Sequence, residues 1–167
     1  MAIRRTFLGF VYSLGVPFHA MAHTSQPLSG TLAYILQADR FAKTRAAVVR
    51  KLAACGRDVI VMDTTYDGQP ENHWTRTEIK AIRAGKTGRV VLAYLSIGEA
   101  ENYRAYWQPE WDADEDGRPD PGAPAFLLEE NPDWPGNYRV RYWHPDWQAL
   151  ILNELDQILR RGFDGVY

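Results

Sequence analysis

The stretch RVVLAYLSIGEAENYR, residues 89–104, decides the fold class, because an apolar strand pattern runs directly into a group of polar side chains. Residues 89–97 are mostly aliphatic, which is typical of a strand buried on both faces of a parallel sheet. Tyr94 and Ser96 alternate with apolar neighbours near its end, and Gly98 then allows a sharp change of chain direction. The pattern predicts a buried strand that carries polar groups at its carboxyl end.

Three further segments predict strands, and helical patterns separate them. Apolar runs occupy residues 32–37 and 58–63, and another begins at residues 163–167. The run at 58–63 is rich in β-branched residues, as expected for a strand with both faces buried. Strands that alternate with helices in this way form parallel α/β sheets with right-handed crossovers.

The helices are indicated by their caps and ends. One helix is expected between Asp39, as its cap, and Gly56. Thr75 and Glu78 have the spacing of a capping box, which predicts the start of a second helix. Pro145 opens a third, with apolar residues recurring at helical spacing behind it.

The strand count points to a fold larger than the 167 residues given. A (β/α)8 barrel takes about 250 residues, and four predicted strands supply half of one. We therefore predict an α/β fold, the N-terminal half of a (β/α)8 TIM barrel, over residues 31–167 and truncated in its fourth strand. A complete open α/β sheet of four strands is the alternative.

The first residues have the organisation of an export signal. Two arginines precede an apolar run, and a small-x-small cleavage site ends at Ala22, so residues 1–22 are predicted as a signal peptide and 23–30 as a polar linker. The expected location is secreted or periplasmic, through a Sec or twin-arginine signal. A short membrane anchor and a misread start codon are the alternatives. No later segment approaches the ~20 apolar residues of a membrane span.

Composition and charge exclude several classes of partner. The chain has 19 Lys+Arg and 21 Asp+Glu, a formal net charge of −2, which does not fit a basic nucleic-acid binder. Its one cysteine, Cys55, excludes an internal disulfide framework. The histidines lack metal-binding spacing, and no glycine-rich phosphate loop is present. Neither a cofactor nor a metal is predicted, and the oligomeric state is left open.

Polar side chains collect at the carboxyl ends of the predicted strands, where functional groups lie in parallel α/β folds. Asp63 ends the second apolar run and Glu99 follows the third strand, so we predict both as catalytic carboxylates. Carboxylates, phenols and a guanidinium at one strand end suit a polyhydroxylated ligand. The predicted substrate-binding side chains here are Tyr94, Ser96, Glu101, Tyr103 and Arg104.

Each of these carboxylates also has a purely structural interpretation. Asp63 would instead cap a loop through either of the two threonines that follow it. Glu99 or Glu101 would instead pair with Arg104 at a helix start.

Tryptophan is concentrated in one part of the chain. All six tryptophans lie between Trp74 and Trp147, and four fall within the Pro- and Gly-rich residues 106–143. Aromatic faces suit the C–H faces of sugar rings, and this loop would overhang the barrel mouth. We therefore predict that Trp107 and Trp143 bind substrate; packing in a core is the alternative.

Residues 112–117 have the D-x-D-x-D-G spacing that opens a calcium loop. The twelfth position of such a loop is Ala123 rather than the bidentate glutamate that calcium requires. A solvated acidic turn is therefore predicted, with a calcium site as the alternative.

Three longer motifs carry a family resemblance: YLSIGEAENYRAYW at residues 94–107, WPGNYRVRYWHPDW at 134–147 and GFDGVY at 162–167. They resemble glycoside hydrolase family 114, which is similar to endo-α-1,4-polygalactosaminidases. The resemblance implies a (β/α)8 barrel that cleaves a polysaccharide with acidic residues at the barrel top. It also implies that the main catalytic carboxylates lie beyond Tyr167.

The expected function is that of an exported glycoside hydrolase acting within a polysaccharide or oligosaccharide, with galactosamine-containing polymers as candidates. The fragment alone is expected to be inactive. A non-catalytic secreted carbohydrate-binding barrel is the alternative, and a solute-binding or calcium-stabilised module around the tryptophan loop is a third.

Overall fold

The computed structural model describes residues 30–167. The predicted signal peptide, residues 1–22, and residues 23–29 of the predicted linker lie outside the described part of the chain. The strands are β1 Leu32–Ile35, β2 Val59–Met62, β3 Val90–Ala93, β4 Glu99–Glu101, β5 Leu127–Glu130, β6 Asn137–Val140 and β7 Gly165–Val166. The α-helices are α1 Ala38–Phe41, α2 Arg45–Ala54, α3 Arg76–Ala84 and α4 Pro145–Arg160.

Four parallel strands form the main sheet, in the order β1-β2-β3-β7. The register aligns Leu32 with Val59 and Val59 with Val90. Strand β2 lies between two neighbours and its last three residues are fully buried, which explains its continuous apolar sequence. Helices connect successive strands, as in consecutive units of a (β/α)8 barrel. The predicted α/β fold class, a part of such a barrel, is confirmed.

The third strand is shorter than its apolar pattern predicts. Strand β3 ends at Ala93, although backbone hydrogen bonds continue from Tyr94 N to Met62 O at 2.9 Å and from Leu95 N to Tyr167 O at 3.1 Å. The chain therefore leaves the sheet gradually. Tyr94 and Ser96 emerge beyond the strand, at its carboxyl end.

The prediction of a single helix between the first two strands is wrong, because two helices, α1 and α2, occupy that segment. Asp39 does not cap a helix; it lies in the first turn of α1, which Gln37 precedes. At Ala42 the backbone is extended, with φ −156° and ψ 150°. Helix α2 then begins after Thr44, whose hydroxyl accepts a hydrogen bond from Ala47 N at 3.2 Å. This cap satisfies a free N–H group and starts a new helix.

The predicted capping box of α3 is confirmed. The Thr75 hydroxyl accepts from Glu78 N at 3.2 Å, and the Glu78 carboxylate accepts from Thr75 N at 2.8 Å. The same carboxylate receives two hydrogen bonds from Arg45 of α2, at 2.6 and 2.8 Å. One glutamate thus caps α3 and joins it to the neighbouring helix.

At the amino end of the sheet, the guanidinium of Arg89 fastens two helices. Its side chain is buried, with 3% of the residue exposed. Nη1 donates to Leu52 O at 2.9 Å near the end of α2 and to Ile82 O at 2.6 Å near the end of α3. The cation satisfies terminal carbonyl groups and opposes the negative ends of both helix dipoles.

A second, antiparallel sheet includes two strands, β5 and β6, from the Pro- and Gly-rich segment that the sequence predicts to be a loop. Its order is β4-β6-β5, with Glu99 opposite Arg139 and Glu130 opposite Tyr138. It encloses a separate apolar cluster, whose buried members are Ala100, Phe126, Leu127, Tyr138, Val140 and Trp147. Trp147 belongs to α4, so this small sheet is packed against the helix that leads to β7.

No helix within residues 30–167 combines the length and apolar character needed to cross a bilayer.

Candidate functional site

A cleft of about 750 Å³ opens at the carboxyl ends of the parallel strands. It lies between the segments that follow β1 and β2 and the hairpin that joins β5 to β6. Its lining residues are Tyr34, Leu36, Gln37, Asp39, Arg40, Asp63, Asp67, Gly68, Gln69, Tyr94, Glu99, Glu101, Tyr103, Arg104, Trp134, Pro135 and Asn137. Seven predicted site residues lie at the end of β2 or in the segment behind β3, and all of them except Ser96 line this cleft.

Asp63 is held from two sides at the cleft floor. Arg104 Nη1 donates to Oδ1 at 3.0 Å and Nη2 to Oδ2 at 2.8 Å, a bidentate pair. Oδ1 also accepts from the backbone N and the hydroxyl of Thr65, both at 2.9 Å. Because Asp63 is paired bidentately with a guanidinium, the geometry favours a structural role for this carboxylate over the predicted catalytic one. It fits the alternative, a carboxylate that caps the following loop and fixes Arg104.

Glu101 is the second carboxylate bound by Arg104. Its residue is 3% exposed, and its side chain accepts from Arg104 Nε and from the Tyr103 hydroxyl, the latter at 2.8 Å. Burial raises the pKa of Tyr103, and the charge of Glu101 raises it further. Burial alone would lower the pKa of Arg104, but the hydrogen bonds and charges of Asp63 and Glu101 raise it. The guanidinium is therefore a permanent cation between two carboxylates.

Glu99 has a different environment from the two floor carboxylates. It lies at the start of β4, is half-buried, and lines the cleft. Two side-chain amides hold it: Asn131 Nδ2 donates to Oε1 at 2.6 Å, and Asn137 Nδ2 to Oε2 at 3.1 Å. No cation contacts it among the described residues. Since each carboxylate oxygen has two acceptor positions, Glu99 can accept further hydrogen bonds from a ligand.

The remaining predicted residues behind β3 divide between the cleft and a smaller cavity. Tyr94 is half-buried in the cleft, and burial, followed by the charge of Glu101, raises the pKa of its phenol. Ser96 lies below, where its hydroxyl accepts from Glu99 N at 3.2 Å. It lines a cavity of about 20 Å³ together with Glu154 of α4. Burial raises the pKa of Glu154.

The two tryptophans predicted to bind substrate lie elsewhere. Trp107 is packed in the second apolar cluster, with its ring centroid 4.5 Å from Tyr138 and 5.1 Å from Trp111. The structure therefore favours the core alternative for Trp107. Trp143 is 61% exposed and packs edge-on against Tyr142, outside the cleft lining. Neither position supports contact with a ligand in this cleft.

Two aromatic residues outside the predicted set line the cleft instead. Tyr34 is the third residue of β1, lines the cleft and contacts the Tyr167 ring edge-on at 5.6 Å. Its phenol, within an otherwise aliphatic strand segment, is the signal that could have identified it. Trp134 stands on the β5–β6 hairpin, and only the pairing of β5 with β6 brings it to the cleft.

The acidic turn at residues 112–117 is built around Asp112. This residue is 6% exposed, and its carboxylate accepts from Asp116 N at 3.1 Å, from Gly117 N at 3.0 Å and from the Tyr138 hydroxyl. Carboxylate oxygens of Asp112, Asp114 and Asp116 lie within 4.8 Å of one another. The buried carboxylate is thus satisfied by the turn itself and by β6.

Fold and site together define a barrel-type α/β protein with an acidic cleft at the carboxyl ends of its parallel strands. A family model matches residues 19–167, and the chain belongs to glycoside hydrolase family GH114. Family membership supports glycosidase activity at the level of the family.

Proteins of three prokaryotes are similar to between 65% and 72% of this chain. An uncharacterized protein of Deinococcus radiodurans is 49% identical over 109 residues, covering 65% of this chain and 31% of the relative. Protein MJ1477 of Methanocaldococcus jannaschii, also uncharacterized, is 40% identical over 121 residues, with 72% and 32% covered. The chain spans about a third of the length of the curated relatives it matches.

Parts of several solved structures are similar to this chain. An α-amylase from H. orenii gives a TM-score of 0.51 at 14% identity, covering 82% of this chain and 39% of that one. Aspergillus fumigatus Ega3 in complex with galactosamine gives 0.46 at 21% identity, with 81% and 40% covered. The glycoside hydrolase domain of PelA from Pseudomonas aeruginosa gives 0.48 at 16% identity, with 81% and 42% covered. The α-amylase likeness supports the fold alone.

Proposed function

We propose that the full-length protein is an exported glycoside hydrolase that cuts within a polysaccharide, with galactosamine-containing polymers as its substrates. The observation that carries the proposal is the acidic cleft at the carboxyl ends of the strands, in a chain that belongs to family GH114. Its volume of about 750 Å³ is within the usual range for ligand sites.

The charge of the cleft favours a cationic sugar over an acidic one. Its lining contains five carboxylates and two guanidiniums, so the balance is 2 − 5 = −3. Because Arg104 is already bound by Asp63 and Glu101, the cation at the floor is not available to an anionic ligand. A protonated amino group on a sugar ring would be attracted to this site.

The reaction would use two carboxylates that flank the scissile bond. One would protonate the leaving oxygen, and the other would act as nucleophile or as base toward water. Glu99 is our candidate for a carboxylate that contacts substrate, because it faces the cleft without a cationic partner among the described residues. On the family resemblance, we expect the main catalytic acids at positions after Tyr167.

One observation favours a second candidate, a carbohydrate-binding barrel without catalysis. Both floor carboxylates, Asp63 and Glu101, are bound by Arg104 and by neighbouring hydroxyls, an arrangement that stabilises structure without leaving a free acid. Such a floor would bind sugar hydroxyls and cleave nothing.

The two candidates are separated by incubating the full-length protein with α-1,4-linked galactosamine oligosaccharides and measuring new reducing ends and product masses. Shortened products support the hydrolase. Binding without shortening supports the second candidate. If the protein neither binds nor shortens any of the oligosaccharides, both candidates are contradicted.

Export is tested separately, by fractionating cells and sequencing the amino terminus of the protein in each fraction. The proposal expects an extracellular or periplasmic protein that begins at His23. A cytoplasmic protein that retains residues 1–22 would contradict it.

A further inference from the structure

Trp134 combines a rigid backbone with an open side chain. Its backbone N donates to Asn131 O at 3.0 Å, and its carbonyl accepts from Asn137 N at 3.0 Å. The adjacent Gly136 has φ 88°, and its N donates to Glu130 Oε1 at 2.6 Å. These bonds fix the hairpin that carries the indole. The residue is nevertheless 65% exposed.

The hairpin leaves little room for rearrangement. Gly136 O accepts from Asn102 N at 2.8 Å, which ties the hairpin to the segment behind β4. A Cβ atom at Gly136 would stand 2.8 Å from Asn102 Oδ1, and the positive φ is itself unfavourable for other residues. The position of Trp134 at the cleft rim is therefore set by the backbone and does not depend on packing of its ring.

Other tryptophans of the chain are buried in an apolar cluster or pack against another aromatic ring. Trp74 and Trp147 are each 1% exposed and belong to the two apolar clusters. Trp143 is exposed to a similar degree as Trp134, but it packs against Tyr142 and lies away from the cleft lining. Among the described residues, Trp134 has no aromatic partner and lines the cleft. Its exposed ring is an unfavourable surface in water unless a ligand covers it.

Polar groups beside this ring complete a place for one sugar unit. Asn137, which also lines the cleft, donates to the carboxylate of Glu99 at 3.1 Å. An apolar ring face and a carboxylate-amide pair on one cleft wall match the two surfaces of a pyranose, its C–H face and its polar edge.

We propose that Trp134 is a stacking platform that binds one sugar unit of the polymer at the cleft rim, with the polar edge of that unit facing Glu99 and Asn137. The inference rests on the proposed function and adds the residue that sets affinity on this wall. A flat face accepts sugars of either configuration, so Trp134 would contribute binding strength more than selectivity.

The test compares Trp134→Ala with the matched control Trp143→Ala, an exposed tryptophan outside the cleft, in the full-length protein. The probes are α-1,4-linked galactosamine oligosaccharides of two to six units, and both binding and cleavage are measured. Trp134→Ala is expected to raise both Kd and KM at least about tenfold, and a tenfold change corresponds to about 1.4 kcal/mol. The same substitution should change kcat less than about twofold. Trp134→Tyr should restore most of the affinity, and Trp143→Ala should match the unsubstituted protein.

The outcomes separate this inference from the proposed function. If the protein cleaves the oligosaccharides and Trp134→Ala leaves Kd and KM unchanged, the stacking role of Trp134 is wrong and the proposed hydrolase function is supported. If the protein binds without cleaving and Trp134→Ala weakens binding, the platform stands and the hydrolase is wrong. If the protein binds none of them, both are overturned. Unfolding curves that coincide for both alanine variants show that lost affinity is not lost folding.

Discussion

The Arg104 guanidinium and the Asp63 carboxylate form two parallel hydrogen bonds, at 3.0 and 2.8 Å, between residues 41 positions apart in the sequence. The pair joins the end of β2 to the segment behind β4. It therefore connects the parallel sheet to the small antiparallel sheet directly beneath the cleft.

Arg104→Ala should lower the free energy of unfolding by about 3–5 kcal/mol, because it leaves two buried carboxylates without their cation. The side chains of Asp63 and Glu101 are only 9% and 4% exposed, so solvent cannot replace the guanidinium. Denaturant unfolding measures the loss. Arg118→Ala is the matched control, since its side chain is 73% exposed and 4.0 Å from Glu129; equal effects of the two substitutions would contradict the assignment.

Glu99→Gln should lower hydrolysis at least about tenfold while the melting temperature changes little. The substitution removes a charge that faces the cleft but keeps one oxygen acceptor for Asn131 or Asn137. Tenfold in rate corresponds to about 1.4 kcal/mol. Glu129→Gln, on an exposed side chain, is the control. Turnover equal to that of the unsubstituted enzyme would return Glu99 to a structural role.

Glu78 should make stability depend on pH in the acid range. Burial would raise the pKa of this carboxyl, but hydrogen bonds from Arg45 and Thr75 lower it from 4.5 to about 2. A folded-state pKa below the unfolded value gives stability that is present above pH 4.5 and is lost as pH falls toward 2. Unfolding measured against pH should therefore show Glu78→Gln as destabilising at pH 6, with the difference shrinking below pH 4. A difference independent of pH would count against this ion pair.

Glu154 should act in the opposite direction. Burial raises its pKa, so the neutral form is favoured in the folded state, and the resulting stability is present below the ordinary value of 4.5 and lost as pH rises through the folded-state pKa. Glu154→Gln should raise the melting temperature at pH 7 and change it little at pH 4. In the unsubstituted protein, Gln157 Nε2 donates to Glu154 Oε1 at 3.1 Å, and the glutamine amide would keep an oxygen that accepts this hydrogen bond. A lower melting temperature at pH 7 would refute the expectation.

Asp112→Ala should lower the free energy of unfolding by about 1–3 kcal/mol. The substitution removes the acceptor of the buried Tyr138 hydroxyl and of two backbone N–H groups. Calcium should leave the melting temperature of the unsubstituted protein unchanged, since the carboxylate already has these donors. The measurement is thermal unfolding with calcium and with a chelator. A saturable rise with calcium would establish the alternative, a metal site.

The parallel sheet follows from the sequence because its strands are continuous apolar runs. Strands β2 and β3 are buried among neighbours, so almost every residue must be apolar. The antiparallel sheet was not predicted, since its strands have three or four residues each and stand among prolines and glycines. Only Tyr138 and Val140, buried between exposed or polar neighbours in β6, carry the alternation that could have revealed it.

The candidate site was predictable where its residues are close in sequence. Glu99, Glu101 and Arg104 stand together because one segment carries them. The contact between Asp63 and Arg104 depends on how β2 and β4 are placed in space, which local patterns do not specify. Trp107 was misassigned for the same reason: an aromatic residue in a Pro- and Gly-rich segment faces a core once that segment folds into a sheet.

The Arg89 side chain has a consequence for how this fold can change. It secures the ends of α2 and α3 from the side of the sheet opposite the cleft, through contacts with main-chain carbonyls alone. Those contacts involve no residue that lines the cleft. Substitutions on the cleft wall, at positions such as Tyr34 or Trp134, would therefore leave the ends of α2 and α3 anchored, so the specificity of the cleft can change while the opposite side of the sheet stays as it is.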